Sequence, residues 1–227
     1  MKTAAPHASL PYLKPLAAAA LSLALLSGCG VLRTVVAPSP QPALYSLAYI
    51  PNTLPNTAAP AAPRAAATAL TLIVSPPHAA AGFDSPHIMY VRQANQLEYF
   101  AHNEWIDTPA RMLAPLIVSA VESSGAFRAV VQTPSAAAGE MLLDTEILRL
   151  QHEFLGTPSK VRFTLRAYLV DSTTRKIIAS REFDATVLAT SEDPSGGVVA
   201  ANSAVKTVLE DLSAFCADAA RSARMDK

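Results

Sequence analysis

The run from Lys160 to Val170 constrains the fold more than any other part of this 227-residue chain. Apolar side chains occupy every second position from Val161 to Leu169, and charged or hydroxyl side chains stand between them up to Tyr168. Such alternation is typical of a β-strand with one face on a core and the other toward solvent. A second run, Lys176 to Leu188, follows across the polar turn Asp171 to Arg175, which predicts a hairpin. We therefore expect a sheet with one covered face.

Six further strands are predicted from short apolar, aromatic and β-branched runs. They cover residues 43–49, 70–74, 88–92, 96–100, 127–132 and 141–152. The runs 88–92 and 96–100 flank a three-residue connector, which predicts a second hairpin. Most neighbouring strands are therefore expected to pair in antiparallel fashion.

Two helices complete the prediction. The first covers about residues 109–124, because Asp107 or Thr108 offers a capping oxygen and Pro109 suits the first helical position. Gly125 is a typical stop. The second is marked by apolar residues at helical spacing from Ala201 to Ala219, with 194–197 as its lead-in. The fold class is α+β: a mainly antiparallel sheet of about seven or eight strands with two helices packed on one face.

The N-terminus has the features of a bacterial lipoprotein signal. Lys2 and Lys14 precede an apolar run from Leu16 to Leu26, which is too short to span a bilayer. The run ends in Leu-Ser-Gly-Cys, the pattern cleaved between Gly28 and Cys29 with lipid on the cysteine. An ordinary signal peptide with a chance cysteine is the alternative reading. Acyl chains on Cys29 would anchor the protein to a membrane without spanning it.

The predicted cleavage removes two lysines and no acidic residue, which leaves a formal charge of −2 on the mature chain. Nucleic-acid binding is disfavoured, because it needs a basic surface. With Cys29 acylated, Cys216 is the one remaining thiol, so no intramolecular disulfide can form.

The sequence predicts three segments: residues 1–28 as lipoprotein signal peptide, 29–42 as tether, and 43–227 as one domain. Pro51 to Thr68, rich in alanine and proline, is expected to be a loop inside that domain. Gly30 stands where an aspartate would favour inner-membrane retention, so we expect attachment to the periplasmic face of the outer membrane.

The sequence contains no motif for catalysis, a cofactor or a metal. Its histidines form no metal-binding pair. Asp144 and Glu146 share a predicted strand face, but paired acids on a solvated strand are common. The glycines of Ser195-Gly196-Gly197 are better read as a flexible helix entry than as a phosphate loop. We expect no enzyme activity, no cofactor and no metal.

Aromatic residues concentrate in and just after the second hairpin, and such residues are enriched both at protein interfaces and in cores. The candidate partner-binding residues are Tyr90, Tyr99, Phe100 and Trp105, with His102 beside them. Packing in the core is the alternative for each of them.

The order of these features resembles the ABC-type transport auxiliary lipoproteins, the PqiC-like group. After the lipobox come Tyr45-Ser46-Leu47, Leu72 to Pro76 and Ile88 to Arg92. Leu97 to Phe100 and a tryptophan before a Thr-Pro helix start then follow, and the resemblance covers most of 43–220. Glu104 departs from it, because that family commonly has arginine at this position.

The resemblance implies a non-catalytic outer-membrane component of an ABC/MCE-type lipid transport system. Its implied partners are a periplasmic MCE-domain protein and the associated ABC transporter, and a homo-oligomer stays open. The alternative from another class is a periplasmic carrier of lipid or a small apolar ligand, which would need an apolar cavity of several hundred cubic ångströms.

The lipobox interpretation predicts that Cys29→Ser abolishes lipidation and leaves an unprocessed or soluble form, because serine lacks the thiol that takes the lipid. Metabolic labelling with palmitate checks it. Incorporation at the wild-type level would contradict the interpretation.

Overall fold

A computed structural model describes residues 41–49 and 69–225. The signal peptide, Cys29, nearly all of the tether and the Pro51 to Thr68 loop lie outside the described residues. Those residues form nine strands and two helices. The strands are β1 (Ala43–Tyr45), β2 (Thr71–Val74), β3 (His78–Ala79), β4 (His87–Gln93), β5 (Gln96–Trp105), β6 (Ala129–Gln132), β7 (Met141–Glu153), β8 (Lys160–Asp171) and β9 (Ile177–Leu188). The helices are α1 (Pro109–Ser123) and α2 (Pro194–Met225).

The strands form one mixed sheet in which β7 is the central strand. Its thirteen residues span about 43 Å in extended conformation. One edge therefore has room for β2, β3 and β4 in succession, all parallel to β7. The other edge pairs with β8 along its whole length, and β8 pairs with β9. The β7–β8, β8–β9 and β4–β5 pairs are antiparallel, so the sheet is mixed but mostly antiparallel.

The predicted α+β class is confirmed, and the sheet has one strand more than the seven or eight expected. The additional strand is β3, which consists of two residues and has no repeating pattern. It exists because β7 offers free backbone groups there: β3 pairs with Glu146 and Ile147, and the Ala80 amide donates to the Ile147 carbonyl oxygen at 2.8 Å.

The alternation in β8 is confirmed. Its odd-numbered residues from Val161 to Leu169 are buried, and they pack with apolar residues of both helices in one core. Thr164 was expected on the solvated face but is buried, and its hydroxyl is satisfied there because it donates to Asp184 at 2.5 Å. Cys216 is a free buried thiol, and burial raises its pKa to about 12. Among the described residues, no helix is long and apolar enough to cross a membrane.

Helix α1 begins and ends close to the predicted limits. Pro109 occupies the first turn, and Gly125 adopts a φ of 62° beyond the last turn. The predicted side-chain cap was wrong, because Thr108 is the N-cap residue and makes no capping hydrogen bond. The Asp107 carboxylate instead accepts from the Thr108 amide at 2.8 Å and pairs with Arg111 at 3.3 Å.

Helix α2 begins at Pro194, so the predicted separate lead-in at 194–197 is part of the helix. Asp193 caps it, because its carboxylate accepts from the Gly196 amide at 2.8 Å. Gly197 is required by packing: a Cβ there would lie 2.5 Å from Nδ1 of His152. Loop flexibility therefore does not account for this glycine.

Asn202 of α2 fastens the first described segment to the domain. Its side-chain oxygen accepts from the Ala48 amide at 2.7 Å, and its side-chain nitrogen donates to the Ser46 carbonyl oxygen at 3.4 Å. The preceding strand β1 pairs with the end of β5, from Asn103 to Trp105. The segment is thus held by a strand and by a helix.

Gly197→Ala is expected to lower the free energy of unfolding by about 1–3 kcal/mol, because the new methyl group overpacks against His152. At a helical glycine with free space around it, the same substitution would raise the free energy of unfolding, because alanine is the better helix former. Urea denaturation measures the change.

Gly156→Ala is the matched control, because a Cβ at Gly156 has no neighbour within 4 Å. Repeating Gly197→Ala in a His152→Ala background should give a smaller loss. If Gly197→Ala lowers the free energy of unfolding equally in both backgrounds, the His152 ring is not what the new methyl group contacts.

Candidate functional site

The hairpin formed by β4 and β5 meets the end of β7 in a cluster of four aromatic rings. Tyr90 lies 4.5 Å from Phe100 and 6.0 Å from Phe154, between ring centroids. His152 lies 4.0 Å from Phe154 and 6.4 Å from Phe100. Parallel pairing of Tyr90 with His152 brings the strands together here. The structure therefore unites two predicted site residues, Tyr90 and Phe100, with His152 of β7 and Phe154 just after it, which the aromatic pattern alone did not reveal.

Tyr90 is buried with its hydroxyl satisfied. Only 8% of the residue is exposed, and the hydroxyl donates to a Glu98 carboxylate oxygen at 2.8 Å. That hydrogen bond raises the pKa of Tyr90. The Arg92 guanidinium lies 4.9 Å from the ring centroid. Tyr90 thus joins the strands of the hairpin instead of presenting its ring to solvent.

Trp105 is a core residue in this structure. It is 3% exposed, and its amide donates to the Pro86 carbonyl oxygen at 2.7 Å. It lines a small cavity with Leu150 and Val198, of about 10 Å³. Such a cavity holds at most one water molecule.

Tyr99 is the predicted site residue that faces solvent. It is 54% exposed, and its ring stacks on His87 at 4.2 Å with an interplanar angle of 15°. The β4–β5 register is irregular here, because Met89 pairs with Tyr99 but His87 pairs with Glu104. We call His87, Leu97 and Tyr99 the hairpin surface. His102, also exposed, follows on the same strand.

His152 joins β7 to the start of α2. Its Nε2 atom lies 2.8 Å from the hydroxyl oxygen of Ser159, and the Ser159 amide donates to Glu192 at 2.8 Å. Its Nδ1 atom has no hydrogen-bond partner among the described residues and faces Gly197. Burial lowers the pKa of His152, and the nearby charges of Glu192 and Asp193 oppose that shift in part.

Serine, histidine and acid are present here, but not in a catalytic arrangement. In a hydrolytic triad, the acid accepts a hydrogen bond from Nδ1 of the histidine. Here Glu192 contacts the serine instead, and Ser159 is fully buried. The network is therefore a structural link between β7, the 154–159 loop and α2.

Of the two acids on one face of β7, Asp144 and Glu146, Glu146 is paired with an arginine. Glu146 lies 3.5 Å from Arg166, which also pairs with Glu182 at 3.2 Å. Within the described residues, no group of three or more potential ligands could hold a metal ion.

Similarity to known proteins agrees with the order of elements described above. The family model described as "ABC-type transport auxiliary lipoprotein component" matches residues 53–213. The chain belongs to the ABC-type transport auxiliary lipoprotein family. Family members are auxiliary components of a transport system, so the chain is identified as a lipoprotein of that class. No curated protein shows significant similarity to it.

Solved structures share the fold of this family member. Protein XCC0632 from Xanthomonas campestris is 23% identical, with a TM-score of 0.67 over 81% of this chain and 98% of that one. A second, uncharacterized protein is 13% identical, with a TM-score of 0.56 over 78% and 97% of the two chains. The PelC dodecamer from Paraburkholderia phytofirmans is 12% identical, covers 62% of this chain and 85% of that chain, and gives a TM-score of 0.39. That last likeness is too weak to carry an inference about assembly.

The buried position of His152 predicts that the auxiliary lipoprotein loses stability as the pH falls below about 6.5, the ordinary pKa of histidine. In that range the unfolded chain takes up a proton that folded His152 resists, because its folded pKa is lowered. The loss levels off once the pH is below the folded pKa. Melting temperatures of the wild type and His152→Gln between pH 8 and pH 4.5 measure it.

Glutamine does not titrate, so the difference between the two curves isolates His152 from the other histidines and the carboxylates. His152→Gln should melt lower at pH 8 but depend less on pH below 6.5. Parallel curves would contradict the prediction.

Proposed function

We propose that this protein is a non-catalytic lipoprotein of the outer membrane that docks or positions a periplasmic MCE assembly within an ABC-type lipid transport system. In this proposal, lipid on Cys29 holds residues 29–42 as a tether at the periplasmic face, and the domain of residues 43–227 contacts the partner. Membership of the auxiliary lipoprotein family supports a role beside an ABC transporter.

The observation that carries the docking role is the exposure of Tyr99. Its aromatic neighbours Tyr90 and Trp105 are buried, whereas Tyr99 is 54% exposed and held flat against His87. A ring fixed by stacking loses little conformational freedom on binding, so burying it under a partner is favourable. The helices pack mainly against β6 to β9, with a smaller contact to β3, and Tyr99 and Leu97 of the hairpin surface stay exposed to a partner.

An internal lipid carrier receives less support from the described residues. The cavity beside Trp105 lies within the apolar core but has a volume of about 10 Å³. Ligand pockets typically measure about 300–1,000 Å³. The core would have to open widely to accept an acyl chain there, so docking is the function that the geometry favours.

Tyr99→Ala is expected to weaken binding of the MCE partner by about 2 kcal/mol or more, roughly thirtyfold, without lowering the melting temperature. The reason is that the exposed ring contributes to the partner contact and little to the core. Partner affinity is measured by co-purification and titration of the full lipidated chain in membranes.

Leu188→Ala is the matched control, because Leu188 is 60% exposed on β9, away from the hairpin. Trp105→Ala should instead lower stability by about 3–5 kcal/mol as a core truncation. Unchanged affinity of a normally melting Tyr99→Ala variant would refute the hairpin surface as the docking site.

A further inference from the structure

Along β7 the side chains that point into the core switch from odd-numbered to even-numbered residues. At this switch the apolar Leu148 and the basic Arg149 both line a groove. Up to Ile147 the odd-numbered residues are buried, and beyond it the buried residues are Leu150, His152 and, at the last position of the strand, Glu153. The β8 register shows why, because Ile147 pairs with Leu165 and Arg149 pairs with Thr164, so Leu148 is skipped. This is a β-bulge, a feature that commonly re-aims side chains.

The bulge lies in the floor of an open groove of about 380 Å³. Arg149 and Arg162 line it on β7 and β8, and the turn of the β4–β5 hairpin lines it from the other side. Apolar side chains line the groove beside these arginines. They are Phe83, Val91, Ala94, Leu97, Leu148 and Leu155. The volume lies at the lower end of the range of small-molecule sites.

The charges of the groove are balanced except at Arg149. Arg162 pairs with Asp184 at 2.8 Å. Glu153 also lines the groove, but Lys160 lies 3.8 Å from its carboxylate, which accepts from Gln151 as well. Arg149 makes no ion pair with any described residue.

The hydrogen bonds from Arg162 and Thr164 lower the pKa of Asp184 against the effect of burial, and the charge of Arg149 adds to that lowering. Asp184 is already engaged, because Arg162 and Thr164 both donate to the same oxygen, Oδ1. The Arg149 guanidinium therefore keeps donors that match a carboxylate or phosphate, and apolar side chains stand beside it.

We propose that this groove binds an anionic amphiphile, a molecule with a carboxylate or phosphate head and an alkyl chain. The head pairs with Arg149, and the chain lies against Leu148, Leu155 and Phe83. Both parts of the ligand are needed, since a free anion would leave the apolar walls uncovered. The groove shares Leu97 with the hairpin surface, but its ligand is tested without any MCE partner, so the failure of one proposal leaves the other standing.

The test uses the full lipidated chain in phosphatidylcholine vesicles. The probes are three photoactivatable amphiphiles with the same sixteen-carbon chain: the fatty acid, the lysophosphatidate and the uncharged alcohol. After illumination, the labelled fraction and the labelled peptides are measured by mass spectrometry. The two anionic probes should label peptides from 94–97 and 148–155 more strongly than the alcohol does. A preference between them tells whether carboxylate or phosphate is the head that Arg149 takes.

Three variants give the specificity of the labelling. Arg149→Gln should reduce anionic labelling about tenfold or more, because it removes a charged hydrogen bond to the head. Leu155→Ser, at a residue that is 55% exposed, should reduce labelling by all three probes without changing the melting temperature. Arg166→Gln is the matched control on the same sheet face, and it should leave labelling unchanged.

Three results would overturn the proposal. The first is equal labelling by the alcohol and the anionic probes, and the second is full labelling of Arg149→Gln. The third is displacement of the label by inorganic phosphate at millimolar concentration, which would show a site for a free anion. Labelling that resists phosphate and depends on Arg149 supports an amphiphile site.

Discussion

The backbone hydrogen bonds of β7 hold the sheet together, because this strand pairs with four others. One edge is shared by β2, β3 and β4, each of which contributes two or three paired residues. Strands this short gain little stability alone, so their positions depend on the continuous edge that β7 provides. The other edge pairs with β8 throughout. Both the aromatic cluster and the open groove lie where β7 meets the hairpin, so the position of this one strand determines both.

The parts of the fold that could be predicted from sequence are those with a strong local pattern. The alternation in β8 and the Thr-Pro and Gly signals of α1 depend on neighbouring residues, and both led to correct elements. The parallel placement of β2 and β4 along β7 depends on residues far apart in the chain. No local pattern encodes such pairing, and a strand of two residues such as β3 is too short to show a period.

The glycines at the start of α2 were misread for a similar reason. From sequence, Gly196-Gly197 is typical of a flexible segment, because glycine is a poor helix former. The reason for glycine at 197 is the His152 ring, which approaches from a strand more than forty residues earlier. Likewise, the aromatic concentration around the hairpin was visible in the sequence, but not the division between buried Tyr90 and Trp105 and exposed Tyr99. Burial depends on which strands and helices cover each ring.

The two hydrogen bonds of Asn202 have a mechanical consequence for a protein held at its N-terminal side. A domain attached through one strand can swivel about that strand, whereas two separated attachments define a direction. A force applied at Gln41 acts first on the hydrogen bonds between β1 and β5 and then on the bonds of Asn202 to Ser46 and Ala48. Residues 41–49 are therefore fixed to both the sheet and α2, and they cannot swivel about β1 alone.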